Sequence, residues 1–387
     1  MSLLIGLFGL APVCSCRLSA GAERRHDWTW LGIVGHKRRA GTGRRMAVCH
    51  GVRPQSGEGW FGRMRGKLSG AQLEPLGFVE VRAGHIVREY RQEASRRFGP
   101  VVSNLIKPLV PALVAGLVDG YTARVERRTV GLICQARYAG TVRITFCHVL
   151  SGYRGRGIEE DLFGTSIEGL QRVPNQIERI VCEVMPVSHT DTDGIMRKLG
   201  FAAVPRMMMS APLGDRQVRL SSGSEITLRD GQICAVRSWC KGDEQSAAEV
   251  VCDANTGALD GRIYPELVSA SSARTAIDAM VRGSSGRFDR HASSLAVIPE
   301  SQRAVGVVLC SRVAGRHGFV TELAVRRAWQ GRGVGAALLD RALSAMVTQR
   351  AVAADLAVTQ ANAPAVKLYV GRGFVPGNTF GAYYWPK

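Results

Sequence analysis

A glycine-rich turn between a short apolar strand and an amphipathic helix constrains this chain more than any other feature. Residues 330–336 read QGRGVGA, and they follow the apolar strand 323–325. Because the turn carries little side-chain bulk and opens a helix, its backbone N–H groups and the helix dipole favour an anion such as a phosphate. The pattern predicts a turn that holds a pyrophosphate.

Two widespread phosphate-binding patterns fit this turn poorly. Residues 331–336 satisfy the loose dinucleotide fingerprint G-x-G-x-x-A, and Asp355 follows 19 residues later. In that fold, however, the acid ends a strand, whereas Asp355 precedes the apolar run 356–358. A P-loop requires Lys-Ser/Thr after its glycines, but Gly335 is followed by two alanines. A strand-helix-strand-helix unit without a ligand remains an alternative, although it leaves the small-residue turn unexplained.

Two motifs in the second half resemble those of the GNAT superfamily of acyl-CoA-dependent N-acyltransferases. Gln330-x-x-Gly333-x-Gly335 matches the loop Q/R-x-x-G-x-G/A, and residues 362–374, NAPAVKLYVGRGF, resemble N-x-x-A-x-x-L-Y-x-x-x-G-F. One helix and one strand separate the motifs. The second motif also makes local sense, because Asn362 can cap a short helix that a later glycine ends.

The same motifs recur once, earlier in the chain. Residues 154–157, RGRG, match 330–333 at an offset of 176, and residues 196–201 match 369–374 at an offset of 173. Two similar offsets predict tandem GNAT-like domains, with a degenerate domain over 77–213 and a catalytic domain over 224–387. Residues 214–224 are polar and are predicted to link the two domains.

The first copy lacks features that the second copy has. Glu159 replaces Gly335 and is followed by Glu160 and Asp161, and Met196 stands where the second copy has Tyr369. Three carboxylates in the first turn of a helix stabilise that helix but repel a pyrophosphate. The sequence therefore predicts that the first domain does not bind acyl-CoA productively.

The predicted fold class is α/β (α+β), with two tandem domains that each contain a mixed, mostly antiparallel sheet flanked by helices. The predicted strands are 77–81, 124–135, 141–149, 225–229, 293–299, 304–313, 318–325 and 352–358. The predicted helices are a long stretch over 85–118, interrupted near Pro108 and Pro111, and the segments 242–254 and 271–282, with further helices after each glycine turn.

A basic extension, predicted to be disordered, precedes the domains over residues 1–76. The net charge of the chain is +19, and residues 1–70 hold twelve Lys or Arg against three Asp or Glu. The absence of basic residues before the apolar start argues against a secretory signal. An organelle transit peptide and an over-extended reading frame, with a start at Met46 or Met64, both stay open. Basic arms can bind nucleic acid, but no aromatic-basic module accompanies this one, so no specific nucleic-acid partner is expected.

The remaining composition predicts a cytoplasmic protein without a metal site or a membrane span. The ten cysteines show neither C-x-x-C nor Cys/His ligand spacing, so reduced thiols are expected. The apolar N-terminal stretch is too short to cross a bilayer.

The resemblance implies acetyl-CoA as the acyl-donor substrate, with no metal. In GNAT enzymes the pantetheine arm lies along the strand before the loop, and the loop amides hold the pyrophosphate. The residues implied to bind the donor are Leu323, Ala324, Val325, Gln330, Gly331, Arg332, Gly333, Val334, Gly335, Ala336 and Asn362.

The resemblance also implies two catalytic residues. Tyr369 matches the general acid near the CoA sulfur, and a phenol with an ordinary pKa suits that role. A tyrosine that merely packs the helix on the sheet is the alternative. The glutamate that some relatives use as base is Ala357 here, so Glu322 on the loop-bearing strand is the expected base.

The expected function is transfer of an acetyl or acyl group from acyl-CoA to a primary amine, by direct attack in a ternary complex. The acceptor is a small molecule or peptide amine, and residues 255–292 and the first domain are expected to form its site. One alternative is acetylation of a sugar-linked amine, as in mycothiol synthases, which also pair a degenerate domain with an active one. Another is a CoA-sensing or interaction protein without catalysis.

Overall fold

The structure, a computed structural model, describes most of the chain from Met64 onward. The described residues are 64–76, 83–107, 109–114, 118–138, 140–171, 177–183, 191–214, 225–229 and 231–385. The first half denotes the described residues up to 214, and the second half denotes those from 225. The predicted strand 77–81, almost all of the predicted linker and residues 1–63 of the predicted extension lie outside the described residues.

Fifteen strands and ten α-helices make up the described chain. The strands are β1 (Met64–Arg65), β2 (Gln72–Pro75), β3 (Asp119–Val125), β4 (Arg128–Tyr138), β5 (Thr141–Val149), β6 (Arg179–Glu183), β7 (Ala202–Pro212), β8 (Glu225–Thr227), β9 (Ile233–Ser238), β10 (Arg287–Phe288), β11 (Ser294–Val297), β12 (Ala304–Ala314), β13 (His317–Val325), β14 (Ala353–Thr359) and β15 (Val375–Tyr384). The helices are α1 (Gly84–Phe98), α2 (Pro100–Leu105), α3 (Leu109–Val114), α4 (Ile158–Gln171), α5 (Thr192–Lys198), α6 (Glu244–Asn255), α7 (Asp260–Ile263), α8 (Ala270–Val281), α9 (Val334–Thr348) and α10 (Ala363–Val370).

The strands form one continuous, mostly antiparallel sheet across both halves. Its order is β1-β2-β3-β4-β5-β6-β15-β7-β14-β13-β12-β11-β9-β8, with β10 pairing to β12 beside this path. In the second half α9 packs on one face of the sheet and α6 and α8 on the other. Both faces of β12 are therefore covered, which explains its continuous apolar run.

The two halves repeat one arrangement, as the matched motifs predicted. In each half a run of antiparallel strands ends on a parallel pair, β5 with β6 and β13 with β14. In each half a glycine turn and a helix follow the first strand of that pair. The mixed α/β architecture with a mostly antiparallel sheet and flanking helices is confirmed.

The halves complete each other by exchanging strands. The last strand of the chain, β15, lies between β6 and β7 of the first half, and β7 in turn pairs with β14 of the second half. The apolar core of the first half correspondingly includes Phe319, Ala357, Phe380 and Tyr383 from the second. Strand β7 thus belongs to the first half in sequence, but both of its neighbours in the sheet come from the second half.

Three predicted boundaries need correction. Residues 64–75, assigned to the disordered extension, form β1 and β2 at the edge of the sheet. The helical stretch 85–118 breaks first at Gly99, whose φ of 79° no helix interior accommodates, and Pro111 lies inside α3. The strand predicted at 124–135 is two strands joined at Glu126, which has a φ of 54°.

None of the helices in the described part of the chain combines the length and the apolarity that a bilayer crossing requires.

The exchanged strands predict that both halves unfold together. Ala382 is fully buried between β6 and β7, so Ala382→Asp should lower the free energy of unfolding by about 3 kcal/mol, because it places a charge in an apolar core. Calorimetry should show one transition, shifted as a whole. Val375→Asp, on the same strand at a residue 62% exposed, is the control and should change little. Two separate transitions, with one unaffected, would contradict this coupling.

Candidate functional site

A cleft opens where the two parallel strands of the second half separate. Strand β13 pairs with β14 at His317, Gly318 and Phe319, and the pairing is not continued beyond them. Strand β14 pairs along its full length with β7 on its other side, so β14 stays in the sheet while the end of β13 diverges from it. Residues 323–325 therefore face a gap in the sheet that can admit an extended ligand.

The glycine turn stands at the open end of this cleft. Gly331 and Gly333 have φ angles of 74° and 106°, which residues with a Cβ adopt at a cost. A Cβ at either glycine would meet no described atom within 4 Å, so backbone conformation and not crowding requires glycine there. Gly333 caps α9 without a side chain, and the first amides of the helix have no acceptor within it.

A cavity of 1120 Å³ joins the turn to the cleft. It brings together eleven of the thirteen residues that the sequence selected, namely Glu322, Leu323, Ala324, Val325, Gln330, Gly331, Gly333, Gly335, Ala336, Asn362 and Tyr369. Arg332 and Val334 are not part of this lining. Val334 is buried in the core under α9, and Arg332 stacks on Trp329 and donates to Gln232 at 3.2 Å. These two side chains thus have structural contacts, and only their backbone remains available for the predicted role.

The second motif folds as its local chemistry predicted. Asn362 caps α10, with its Oδ1 accepting from the Ala365 amide at 3.2 Å, and a proline occupies the first turn. Gly373, with a φ of 76°, adopts the left-handed conformation after the helix, whereas Gly371 is right-handed. The cap explains Asn362 without a ligand, although the residue also lines the cavity.

Tyr369 lies at the buried end of the cavity. It is 1% exposed and packs edge-on against Phe374. Burial raises the pKa of its phenol, and the negative charges of Glu322 and Asp260 raise it further. The expectation of an ordinary pKa is therefore wrong, because the sequence did not show how deeply the ring is enclosed. The phenol is therefore protonated at neutral pH, and it is a weaker acid than an exposed tyrosine.

Glu322 lies beside Tyr369 and is equally enclosed. It is 2% exposed, on β13 opposite Leu309 of β12. Its negative charge acts on the phenol of Tyr369 and on the guanidinium of Arg206. The carboxylate and the phenol thus both line the cavity, near enough for the charge of Glu322 to act on the phenol.

The cavity has a basic mouth and an acidic interior. Arg229, Arg327 and Lys367 are exposed residues of its lining, whereas Asp260 and Glu322 are buried ones. Such a gradient favours a ligand with phosphates outside and an uncharged or cationic end inside. Asp260 falls within the predicted acceptor segment 255–292, but nothing in the sequence distinguished it from its neighbours.

The corresponding turn of the first half is held by contacts with other parts of the chain and carries carboxylates. Asp161, in the first turn of α4, accepts hydrogen bonds from the Leu68 amide at 3.1 Å, the Ser69 amide at 2.9 Å and the Ser69 hydroxyl at 2.6 Å. Arg154, the counterpart of Gln330, is bound to Glu93 at 2.7 Å. The segment between β1 and β2 therefore packs against the start of α4, while a cavity of 610 Å³ stays open beside the turn and has Glu159 and Glu160 in its lining.

Asp355, the acid of the dinucleotide alternative, lies away from the cavity. It accepts from His317 Nδ1 at 2.8 Å where β13 and β14 are still paired, and it is not part of the lining. The sheet as a whole is mostly antiparallel, unlike the parallel sheet of the dinucleotide fold. In the described ranges no group of three or more His, Cys, Asp or Glu side chains is placed to hold a metal ion.

The match to known proteins agrees with this geometry. Residues 262–374, which include the glycine turn and the second motif, match the acetyltransferase (GNAT) family. No curated protein matches the chain at the level of sequence.

Solved structures resemble the whole described chain in fold. A GCN5-related N-acetyltransferase from Sphaerobacter thermophilus is 17% identical with a TM-score of 0.53, over 76% of this chain and 92% of that one. A tandem GNAT protein from the clavulanic acid biosynthesis pathway is 18% identical with a TM-score of 0.54, over 81% and 98%. A glucosamine N-acetyltransferase region of a fungal β-N-acetylglucosaminidase is 11% identical with a TM-score of 0.55, over 81% of this chain but 38% of that one. The fold is that of a tandem GNAT protein.

The glycine turn predicts a charge-specific effect on acetyl-CoA affinity. Gly335→Glu reproduces Glu159 of the first half and should weaken acetyl-CoA binding at least about tenfold, because like charges a few ångströms apart repel by over 1 kcal/mol. Gly335→Gln has nearly the same size without the charge and should weaken binding much less. Calorimetric titration with acetyl-CoA measures both. Equal losses in the two variants would show that bulk, not charge, is what matters.

Proposed function

We propose that this chain is an N-acetyltransferase that transfers the acetyl group of acetyl-CoA to a primary amine in a ternary complex, with catalysis in the second half. The observation that carries this proposal is the cavity that runs from the glycine turn along residues 323–325 to Tyr369 and Glu322. A GNAT domain implies acyl transfer from acyl-CoA, and this cavity provides a path on which donor and acceptor can meet.

The donor fits the polarity of the cavity. Its phosphates would lie at the basic mouth, against the amides of residues 331–336, and its pantetheine arm would pair with the free edge of β13 at residues 323–325. A backbone N–H of this strand would then stabilise the negative charge that develops on the thioester oxygen.

The buried acid and base fit the chemistry of the reaction. Glu322 accepts the proton that the amine must lose, the amine nitrogen bonds to the acyl carbon, and the carbon–sulfur bond breaks. Tyr369 donates its proton to the departing thiolate. Burial and neighbouring carboxylates raise the pKa of Tyr369 and disfavour its phenolate, so the proton is transferred together with cleavage of the carbon–sulfur bond and the phenol is then restored by the proton that the new amide nitrogen releases.

Removal of the Tyr369 hydroxyl tests the proton donor. Tyr369→Phe keeps the ring packed on Phe374, so the fold and the acetyl-CoA affinity should be unchanged, while kcat falls about a hundredfold. The measurement is release of free CoA thiol with a panel of primary amines. Unchanged turnover would leave Tyr369 a packing residue, and thiol release with none of the amines would favour a CoA sensor.

Glu322→Gln tests the base. A general base acts only when deprotonated, so the wild-type turnover rate should fall toward acidic pH. The variant should be much slower, and its rate should no longer show this fall. Turnover is measured against pH with saturating acetyl-CoA. A variant with the wild-type profile removes Glu322 from the mechanism.

We further propose that the first half does not bind acetyl-CoA. The carboxylates of Glu159 and Glu160, which line the cavity beside that turn, and the ion pair that holds Arg154 support this. Native mass spectrometry should show one acetyl-CoA per chain, and Gly335→Glu should lower the occupancy of that single site. Two molecules per wild-type chain, or an occupancy that Gly335→Glu leaves unchanged, would contradict the assignment.

A further inference from the structure

Three cations from three different elements surround the glycine turn of the second half. Arg229 lies in the loop between β8 and β9, Arg327 opens the short turn between β13 and the glycines, and Lys367 lies on α10. All three residues are exposed, and all three line the cavity of 1120 Å³. The mouth of the cavity is therefore basic on more than one side.

The elements that carry these cations are held against the glycine turn. The Arg229 amide donates to the Arg332 carbonyl oxygen at 3.3 Å, which joins the loop between β8 and β9 to the turn. On the side of α10, Leu368 Cδ2 lies 3.6 Å from the position that a Cβ on Gly335 would take, so the neighbouring Lys367 is also close to the start of α9. The backbone is fixed beside the turn amides, and the long side chains extend from it.

The charges of these three side chains are not neutralised by the described part of the protein. None of them forms an ion pair or a side-chain hydrogen bond there. Asp253 accepts from the backbone amide of Arg327 at 2.7 Å and not from its guanidinium. By contrast, Arg372, the fourth basic residue of the lining, is bound to Asp340 at 3.1 Å. The cavity thus presents three positive charges to a ligand.

The cavity beside the corresponding turn of the first half presents no such charges. Its lining cations, Arg154 and Lys198, are each bound to a carboxylate, at 2.7 and 3.2 Å. Ser151 opens the turn that corresponds to the one that Arg327 opens. Lys67, in the loop between β1 and β2, is bound to a carboxylate of α4 at 2.7 Å. Of the two cavities, only the one with glycine in place of glutamate is lined by unpaired cations.

A phosphate monoester is the anion that fits such a group of cations. A pyrophosphate held by backbone amides at a helix N-terminus needs no side-chain cation. A terminal monoester carries about two negative charges at pH 7 and three acceptor oxygens, which several cations can bind at once. The donor acetyl-CoA has one such group, on the 3′ position of its ribose, beyond the pyrophosphate.

We propose that Arg229, Arg327 and Lys367 form a binding site for the 3′-phosphate of the acyl donor, and that this site selects acyl-CoA over donors without that group. This inference rests on the proposed function, because it takes the glycine turn as the site of the pyrophosphate. A dephosphorylated donor, or a pantetheine thioester on a carrier protein, is then a poor substrate.

CoA and 3′-dephospho-CoA, which differ only in this phosphate, test the site on the full-length protein. Calorimetric titration should show that the wild type binds CoA at least about tenfold more tightly, because single exposed ion pairs contribute little but three act together here. Exposed charges are screened by salt, so the ratio of the two affinities should shrink between about 50 mM and about 500 mM salt. Equal affinities for the two ligands at low salt would overturn the proposal.

A triple variant removes the site. Arg229→Gln, Arg327→Gln and Lys367→Gln change exposed residues, so the fold should be retained. The triple variant should bind both ligands with similar affinity, and each single variant should lower the ratio about two- to threefold. A triple variant with the wild-type ratio would show that the 3′-phosphate is bound elsewhere.

The matched control removes the same net charge away from the cavity. Lys241→Gln, Arg282→Gln and Arg290→Gln change exposed residues of the second half that do not line it. This variant should keep the wild-type ratio. An equal loss in both triple variants would mean that the overall charge of the protein, and not a local site, favours the phosphate.

Release of CoA thiol with primary amines, measured beside the titrations, separates the two proposals. A protein that prefers CoA but acetylates no amine favours a CoA sensor over an enzyme and leaves the phosphate site supported. A protein that acetylates amines equally well from acetyl-CoA and from its 3′-dephosphorylated analogue refutes this inference alone. A protein that binds neither ligand refutes both.

Discussion

The early end of the pairing between β13 and β14 is the constraint on which the rest of the molecule depends. Three residues on each strand pair in parallel, and then β13 leaves the sheet while β14 stays with β7. A sheet interrupted in this way exposes backbone N–H and C=O groups that ordinary packing would satisfy. The glycine turn, the cavity and the two buried acids are all arranged around this gap, so a ligand with an extended amide-bearing arm can complete the sheet there.

Because the two halves exchange strands, the gap between β13 and β14 depends on both of them. Because β7 holds β14 in place and β15 closes the first half, neither half keeps its sheet or its core intact without the other. The same exchange brings Arg206 behind Asp260. The first half therefore supports both the sheet and the acidic end of the cavity in the second half.

The local features of the site could be predicted from the sequence. The glycines at 331 and 333, the Asn362 cap and the strand before the turn have signatures within a few residues, since backbone angles and caps depend on near neighbours. The tandem repeat was equally visible. Arg206 and Thr359, which both donate to Asp260, carried no such signal, because they are separated by 153 residues and lie on strands that meet only in the folded chain.

What the sequence by itself determined was the kind of site: a glycine turn that opens a helix, present in two copies, of which only the second is followed by a tyrosine at the matching position. The tertiary structure decided how enclosed Tyr369 and Glu322 are, that Asp161 of the first copy binds the amides of residues 68 and 69, and that one half places a cation behind the carboxylate of the other. The physical reason is the distance along the chain over which each effect acts. Conformational preferences depend on residues within about one turn of chain. Burial and electrostatic interactions depend on side chains that the folded sheet places within a few ångströms of each other.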